Sequence, residues 1–315
     1  MTSIRVASQL NGALNQAFAD LPGVEILPVP QHPPLRLPDG VEVLIASPTG
    51  AAGAGLPAAP PPGWPFDARW VQLVSVGIDA YPAWLFRGPV VTAARGASAV
   101  ALAEFAIATI FAAAKRLPDI WIRAAADWAP SPLGMVQGQT LGLVGFGALG
   151  EALAPRAQAL GMKVLATRRS AAPIGTPGVE RLDDLGQIFE QSDHVVLAAP
   201  ATPQTFRLVD REVLRRAKPG LHLVNLARGS LIDDEALLEA LDEGRVALAS
   251  LDVALPEPLP ADHRFYLHPR VRLSPHTSVH TPDTLSNLLA HFAENLDRFR
   301  ANAPLIGVVD PARGY

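Results

Sequence analysis

The sequence contains no cysteine, although the chain has 315 residues. Disulfides, thiolate metal sites and cysteine nucleophiles are therefore excluded, and the absence fits a cytoplasmic protein. Aromatic residues make up only 6% and charged residues 18% of the chain, whereas hydrophobic residues reach 49%. This composition allows sizeable cores, and the length is enough for about two domains.

An excess of positive charge is also missing. The formal net charge of -4 argues against a general binder of nucleic acid. The first residues lack the basic region and long apolar core of a signal peptide. The longest apolar run, 97–114, carries Glu104 in its middle, so we read it as a buried helix of a globular protein. We expect a cytoplasmic protein with no nucleic-acid partner, no membrane partner and no metal.

A glycine-rich turn lies between two short apolar runs in residues 140–170. Residues 141–144 suit a buried parallel strand, 152–160 a helix, and 162–166 a second strand. The pattern G-x-G-x-x-G at this place permits a tight turn, and the amino end of the helix offers free N–H groups to a pyrophosphate. The turn therefore predicts a dinucleotide site, although a glycine turn that binds nothing has the same local pattern. The predicted cofactor-binding residues of the turn are Gly145, Phe146, Gly147, Ala148, Leu149 and Gly150.

The end of the second strand reads Thr167-Arg168-Arg169-Ser170. Sites for NAD usually carry an acid here, roughly 20 residues past the glycines, to bind the ribose 2′-hydroxyl. Two guanidinium groups and two hydroxyls instead suit a 2′-phosphate. We therefore predict Arg168, Arg169 and Ser170 as cofactor-binding residues and NADPH as the preferred cofactor, with NAD possible. Two surface arginines without a role are the alternative.

Short apolar runs and helical segments alternate through most of the chain, which is typical of a doubly wound parallel sheet. Residues 48–65 are rich in proline, glycine and alanine and predict an irregular loop. The last predicted helix, 282–300, is amphipathic, with Asn295, Asp297 and Arg298 assigned to its solvent face. The other predicted strands are 4–7, 24–29, 41–46, 70–76, 90–93, 194–199, 221–226, 247–253 and 271–273, and the other predicted helices are 11–18, 97–117, 182–191, 210–216 and 233–243.

Three polar residues follow strands in the second half of the chain. Arg228 follows 221–226, Glu257 follows 247–253, and His276 follows 271–273. Because parallel strands end at the same edge of a sheet, we expect the three side chains to share one crevice. Each residue taken singly could equally belong to a solvated surface loop.

These three residue types fit the reduction of a 2-oxo acid. An arginine fork holds a carboxylate with two parallel hydrogen bonds. The carbonyl oxygen that gains charge during hydride transfer needs a proton, which a histidine can donate near neutral pH. A neighbouring carboxylate favours the imidazolium and orients the ring. The nicotinamide supplies the hydride, so no covalent nucleophile is needed.

Five motifs carry a specific resemblance. They are Val76-Gly77-Ile78-Asp79, the turn at 145–150, Asn225-x-x-Arg228-Gly229-Ser230-x-Ile232-Asp233, Asp252-Val253 leading to Glu257-Pro258, and Ser274-Pro275-His276. In this order, across most of 70–300, they make the sequence similar to the D-isomer-specific 2-hydroxyacid dehydrogenase family, which includes glyoxylate/hydroxypyruvate reductases and D-phosphoglycerate dehydrogenases.

The resemblance implies a catalytic set of Arg228, Glu257 and His276, with the backbone of Val76 and Gly77 binding the substrate carboxylate. It implies two Rossmann-like or flavodoxin-like doubly wound domains with an active-site cleft between them, and homodimers formed through the nucleotide domains. The substrate domain is then 1–92 plus 283–315, and the dinucleotide-binding domain is 93–282. Further implied cofactor-binding residues are Pro200, Thr205, Ala227, Arg228, Asp252 and His276.

Two departures from the family pattern concern the substrate more than the reaction. Residues 48–65 stand where the family usually has a helix, and His280 is bulky in a loop that usually carries small residues.

The first hypothesis for the function is an NADPH-dependent reductase of the glyoxylate/hydroxypyruvate type. A D-phosphoglycerate or D-lactate type dehydrogenase, or a dinucleotide-sensing protein like the family's corepressors, stays open. The chain ends shortly after its last helix, so we do not expect an amino-acid-binding regulatory domain.

Overall fold

The computed structural model describes residues 3–31, 35–48, 56–170 and 172–315. The chain divides into two compact units, each built on its own sheet. The first unit is Met1–Ala97 with Thr281–Tyr315, and the second is Ser98–His280. Both sheets are parallel throughout, so the predicted α/β class with two doubly wound sheets is confirmed.

The first unit has a five-stranded sheet in the order β2-β1-β3-β4-β5, which is the flavodoxin-like order. One face of the sheet packs against α1 and α7, where Phe292 lies 5.1 Å from the rings of both Phe18 and Trp70. The elements are β1 (Ile4–Ser8), α1 (Gly12–Ala19), β2 (Val24–Pro28), β3 (Val43–Ala46), β4 (Trp70–Leu73), β5 (Val90–Ala93) and α7 (Pro282–Arg300).

One residue of α7 corrects the sequence prediction. Asn295 is completely buried rather than on the solvent face. Its Nδ2 donates to the carbonyl of Ile306 at 3.0 Å, and its Oδ1 accepts from the amide of the same residue at 2.8 Å. Both ends of the side-chain amide are thus hydrogen-bonded, so this buried polar side chain is not left unsatisfied. The prediction failed because helical periodicity assigns a polar side chain to solvent by default.

The second unit has seven strands in the order β12-β11-β10-β9-β6-β7-β8. Counted from its first strand, this is the Rossmann order, in which the sheet grows outward in both directions from β6. The helices are α2 (Ala99–Lys115), α3 (Ala148–Ala159), α4 (Leu185–Gln191), α5 (Arg211–Arg215) and α6 (Asp234–Asp242), and the strands are β6 (Thr140–Val144), β7 (Lys163–Thr167), β8 (Val179–Arg181), β9 (His194–Leu197), β10 (Leu221–Asn225), β11 (Val246–Leu251) and β12 (Val271–Leu273).

Both faces of this sheet are buried, as its almost continuously apolar strands require. On one face Leu141 and Leu143 pack with α2 and α3. On the other face Leu197 and Leu223 belong to the cluster that includes α4, α5 and α6. The carboxyl ends of the strands therefore remain the edge where loops can build a site.

Two local features of the second unit differ from the sequence prediction. Helix α3 begins at Ala148 rather than at residue 152, so Gly150 lies in its first turn. Strand β8 was not predicted, because three residues with Glu180 and Arg181 among them give no apolar signal. Such a short, charged strand is suited to the edge position that it occupies.

Pro48 and residues 56–65, the described part of the predicted irregular loop, contain neither helix nor strand, and 49–55 lie outside the described residues. Across the described ranges, no helix combines the length and apolar character needed to cross a membrane.

Candidate active site

The glycine turn joins β6 to α3 and is shaped for close approach. Gly145 has a φ of 97°, and a Cβ there would lie 2.9 Å from the amide nitrogen of Ala199, so only glycine fits. A Cβ at Gly147 would instead meet no described atom within 4 Å. The turn thus opens directly in front of the amino end of a twelve-residue helix. This arrangement fits the pyrophosphate of a dinucleotide.

The end of β7 lies beside this turn. Val144 and Thr167 are paired in the parallel ladder, and Thr167 Oγ1 accepts a hydrogen bond of 3.3 Å from the amide of Gly145. Arg168, Arg169 and Ser170 follow immediately, so the structure brings them to the edge where the adenosine ribose of a bound dinucleotide would lie. An acid that would bind the 2′-hydroxyl is absent from these three positions.

The loops after β9 and β10 stand at the same edge. Thr205 Oγ1 donates to the carbonyl of Pro200 at 2.7 Å and accepts from the amide of Thr202 at 2.8 Å, which fixes the loop after β9. At the end of β10, Asn225 accepts from the amide of Ala227 at 3.0 Å. Pro200, Thr205 and Ala227 therefore lie in loops that follow the carboxyl ends of their strands, and their role in binding the cofactor stays a prediction.

Arg228 is held by two residues whose roles the sequence did not reveal. Asn225 Nδ2 donates to the Arg228 carbonyl at 2.8 Å, closing the turn after β10. A Cβ on Gly229 would lie 2.1 Å from the carbonyl carbon of Ala254, so this glycine permits two loops to touch. The Asn-x-x-Arg-Gly pattern was the only sign of these two roles in the sequence. The contact of Gly229 with Ala254 could not be predicted from it, because that contact depends on the neighbouring positions of β10 and β11 in the sheet.

Glu257 and His276 form a direct pair. Glu257 Oε2 lies 2.9 Å from His276 Nδ1, and its Oε1 accepts from the amide of Ala254 at 2.9 Å. Burial, the largest single influence, raises the pKa of Glu257, but its hydrogen bonds to His276 and Ala254 and the positive charges of His276 and Arg228 outweigh it. The resulting pKa lies below the ordinary value, so Glu257 is ionised at neutral pH.

Gly229, next to Arg228, lies against the backbone of Ala254, whose amide donates to the Glu257 that pairs with His276, so the loops of the three predicted catalytic residues adjoin. Their loops follow β10, β11 and β12, which are adjacent in the sheet. The three predicted catalytic residues therefore share the carboxyl edge of one sheet. The two predicted substrate-binding residues, Val76 and Gly77, belong to the first unit.

Asp252 shapes the loop that carries His276. It is 1% exposed, and its carboxylate accepts from the amides of Thr277 and Ser278, both at 3.0 Å. The hydroxyls of Ser274 and Ser278 donate to the same carboxylate. The Asp252 carbonyl also accepts from the His276 amide at 2.8 Å, and His276 adopts a left-handed φ of 51°. The carboxylate of Asp252 is thus engaged with its own chain.

The substrate-binding turn predicted in the first unit follows β4. Ser75 Oγ donates to the carbonyl of Gly77 at 2.8 Å and lies 3.1 Å from the Tyr81 hydroxyl. Burial raises the pKa of Tyr81 to about 12, so this hydroxyl stays a neutral hydrogen-bonding group. Val76 is 44% exposed. The turn is therefore internally braced while its tip stays accessible.

A metal centre would need several histidine or carboxylate side chains close together. Within the described ranges, no group of three or more potential ligands is close enough to hold an ion.

Known proteins share both the sequence pattern and the fold. The sequence model of the D-isomer specific 2-hydroxyacid dehydrogenase, NAD binding domain, matches residues 107–278. A glyoxylate reductase of Korarchaeum cryptofilum is 38% identical over 224 residues, covering 68% of this chain and 67% of that protein. A glyoxylate reductase of Thermofilum pendens is 36% identical over 242 residues, covering 73% and 71%.

Similarity also extends to a solved structure. The crystal structure of the TT0316 protein from Thermus thermophilus matches with a TM-score of 0.76 and 31% identity, covering 98% of this chain and all of that one. The family match spans the glycine turn and the loops of Arg228, Glu257 and His276. This chain belongs to the D-isomer-specific 2-hydroxyacid dehydrogenase family and is an NAD(P)-dependent oxidoreductase.

Proposed function

We propose that this protein reduces a small 2-oxo acid of the glyoxylate or hydroxypyruvate type to the D-2-hydroxy acid, with NADPH as the preferred cofactor. The observation that carries the proposal is the 2.9 Å pair of Glu257 and His276 beside Arg228, at the sheet edge that also bears the glycine turn. The glyoxylate reductases among the relatives support the substrate class.

Each catalytic side chain has one task in this proposal. The nicotinamide, when bound, supplies the hydride for the carbonyl carbon. Arg228 holds the substrate carboxylate through its guanidinium fork. Because Glu257 occupies Nδ1 of His276, Nε2 is the nitrogen that donates a proton to the carbonyl oxygen. The ionised Glu257 stabilises the imidazolium before transfer and keeps the ring in position.

The cofactor preference rests on the end of β7. Arg168 and Arg169 follow the end of this strand directly, and Thr167 ties the strand end to the glycine turn, which supports a role for the two guanidinium groups in binding a 2′-phosphate. A 2′-phosphate gains charge-assisted hydrogen bonds there, whereas the 2′-hydroxyl of NADH finds no acid at these positions. Replacing Arg168 with Asp should shift the ratio of kcat/KM toward NADH.

Substrate binding is proposed for the first unit. Val76 and Gly77 would offer backbone N–H groups to the substrate carboxylate from the turn after β4. In this assignment the substrate domain is 1–92 plus 283–315, and the dinucleotide-binding domain is 93–282.

A homodimer is also proposed. The stretch that follows α2 exposes large apolar side chains, with Trp121 at 66%, Trp128 at 81% and Met135 at 62%. Exposed apolar surface of this kind is typical of protein interfaces, and a second copy of the chain would bury it. Sedimentation equilibrium distinguishes the dimer from a monomer.

The activity is tested with purified protein, NADPH or NADH, and a panel of 2-oxo acids that includes glyoxylate, hydroxypyruvate, pyruvate and 3-phosphohydroxypyruvate. The proposal predicts the highest kcat/KM for glyoxylate or hydroxypyruvate with NADPH. A higher kcat/KM with NADH would contradict the cofactor preference alone. Binding of NADPH without its oxidation by any member of the panel would contradict the reductase and favour a dinucleotide sensor.

A further inference from the structure

Arg181, the last residue of β8, reaches across to the loop that leaves β7. Its Nε donates to Asp183 Oδ1 at 2.9 Å. Its two terminal nitrogens donate to backbone carbonyls, Nη1 to Ala172 at 3.3 Å and Nη2 to Arg168 at 3.4 Å. The Arg181 side chain is 31% exposed, so it lies largely within the protein. One guanidinium therefore joins three points of the chain.

The position of Arg181 follows from the parallel pairing of β7 and β8. Ala166 is the ladder partner of Arg181, so the two strands end side by side. Arg168 and Arg169 begin just past Thr167, where β7 stops. Arg168 also donates from Nη1 to the carbonyl of Pro173 at 3.2 Å. The two arginines predicted to bind the 2′-phosphate thus lie in a loop tied at several points, and Arg181 supplies two of those ties.

We infer that Arg181 is a positioning residue for cofactor selection, because it holds the Arg168–Arg169 loop in the shape that receives a 2′-phosphate. This inference rests on the NADPH preference proposed above. A planar guanidinium with several fixed donors can bridge two carbonyls and a carboxylate at once, whereas a lysine ammonium acts as a point charge. The geometry, rather than the positive charge alone, is therefore the contribution of Arg181.

The charge of the 2′-phosphate makes the expected effect of Arg181 specific for NADPH. Arg168 and Arg169 are the charged groups of this loop, whereas Arg181 is paired with Asp183 and holds the backbone of the loop. A 2′-phosphate carries close to two negative charges, so its binding depends on how the guanidinium groups of this loop are placed. NADH brings no charge to this place. The effect of Arg181 should therefore appear with NADPH and not with NADH.

The test measures the Kd of NADPH and NADH by fluorescence titration for the wild type, Arg181→Lys and Arg181→Met. Both variants should raise the Kd of NADPH about tenfold, the cost of leaving one or two arginine side chains unordered. The Kd of NADH should stay within about twofold, and kcat at saturating NADPH should be unchanged. Adenosine 2′,5′-bisphosphate, a probe that carries the phosphate without the nicotinamide, should lose affinity in parallel with NADPH.

Arg245 offers a matched control. It directly precedes β11, which lies on the other side of β6 from β8 in the same sheet, donates to the carbonyl of Arg215 at 2.8 Å and lies 3.7 Å from Glu243. Arg245→Met likewise removes an arginine with a carbonyl hydrogen bond and an ion pair, but away from the Arg168–Arg169 loop, and should leave both Kd values unchanged.

The contrary outcomes separate a failure of the positioning role from a failure of the cofactor proposal. Wild-type affinity for NADPH in Arg181→Met, an equal loss of NADPH and NADH affinity, or full NADPH affinity in Arg181→Lys would overturn the positioning role while the NADPH preference stands. A wild-type protein that binds NADH as tightly as NADPH would overturn the cofactor proposal, and this inference with it.

Discussion

Two buried histidines on neighbouring strands should make the second unit sensitive to mild acid. His194 of β9 and His222 of β10 are ladder partners, 4% and 3% exposed, with their Nδ1 atoms 3.0 Å apart. His194 Nε2 lies 2.8 Å from Gln139 Oε1, and His222 Nε2 lies 2.9 Å from Ser250 Oγ. Because the amide oxygen can only accept, His194 donates to it, His222 donates to His194, and Ser250 donates to His222. Two neutral rings satisfy this chain completely.

Both pKa values fall below the ordinary histidine value. Burial lowers the pKa of His194 to about 4, against a small opposite influence of Asp193. Burial, helped by the charge of its neighbour, lowers the pKa of His222 to about 3. The unfolded chain takes up protons below pH 6.5, whereas the folded pair stays neutral. Stability is therefore complete above pH 6.5 and is lost as the pH falls from there toward 4.

The size of the effect follows from proton linkage. When the pH falls from about 7 to about 5, one histidine with a strongly lowered pKa reduces the free energy of unfolding by about 2 kcal/mol. The pair reduces it by about 4 kcal/mol. The double substitution His194→Leu and His222→Leu should remove this difference, even if it lowers stability at pH 7 by leaving Gln139 and Ser250 with fewer partners. The comparison is therefore made between the two pH values within each variant.

The assay is amide hydrogen exchange of β9 and β10, which reports the opening of the second unit independently of the first. The exposed His280 provides the control, since His280→Gln should keep the wild-type pH dependence. A loss of stability from pH 7 to pH 5 that is equally large in the wild type and the double variant would refute the reasoning.

Three further substitutions probe the site and the fold. Gly229→Ala places a methyl group against the backbone of the next loop, so the free energy of unfolding measured by thermal denaturation should fall by about 2 kcal/mol or more. A Cβ at Gly175 would meet nothing within 4 Å, so Gly175→Ala should leave this free energy nearly unchanged. Glu257→Gln should lower kcat/KM about 100-fold or more and leave the Kd of NADPH unchanged; a loss under about threefold would exclude a role in orienting the histidine. Asn295→Leu should destabilise the first unit by about 2 kcal/mol in urea titrations, because a buried amide and carbonyl lose their partners, whereas the exposed Asp297→Asn should have no comparable effect.

The fold was predictable because its signals are local and repeated. Apolar runs separated by helical segments indicated the parallel sheets, and the glycine turn marked the first strand of the second one. Strand β8 was not predicted because its three residues carry no apolar pattern. Asn295 was assigned to solvent because periodicity does not reveal that the partner of a polar group will be a distant stretch of backbone.

The sequence predicted which residues belong to the candidate site and which strands they follow. The order of the motifs identified the family, and parallel strands bring the loops of Arg228, Glu257 and His276 to one edge. The catalytic roles of these residues remain predictions. The contact of Arg181 with the Arg168 carbonyl lies beyond sequence reasoning, because it depends on the pairing of a strand that the pattern did not show.

The most direct test of the proposed mechanism compares the wild type with His276→Asn in the reduction of glyoxylate by NADPH. If His276 donates the proton, kcat should fall about 100-fold to 10,000-fold while the Kd of NADPH stays within about twofold. A variant that turns over glyoxylate at nearly the wild-type rate would show that another group protonates the carbonyl oxygen and would contradict the account.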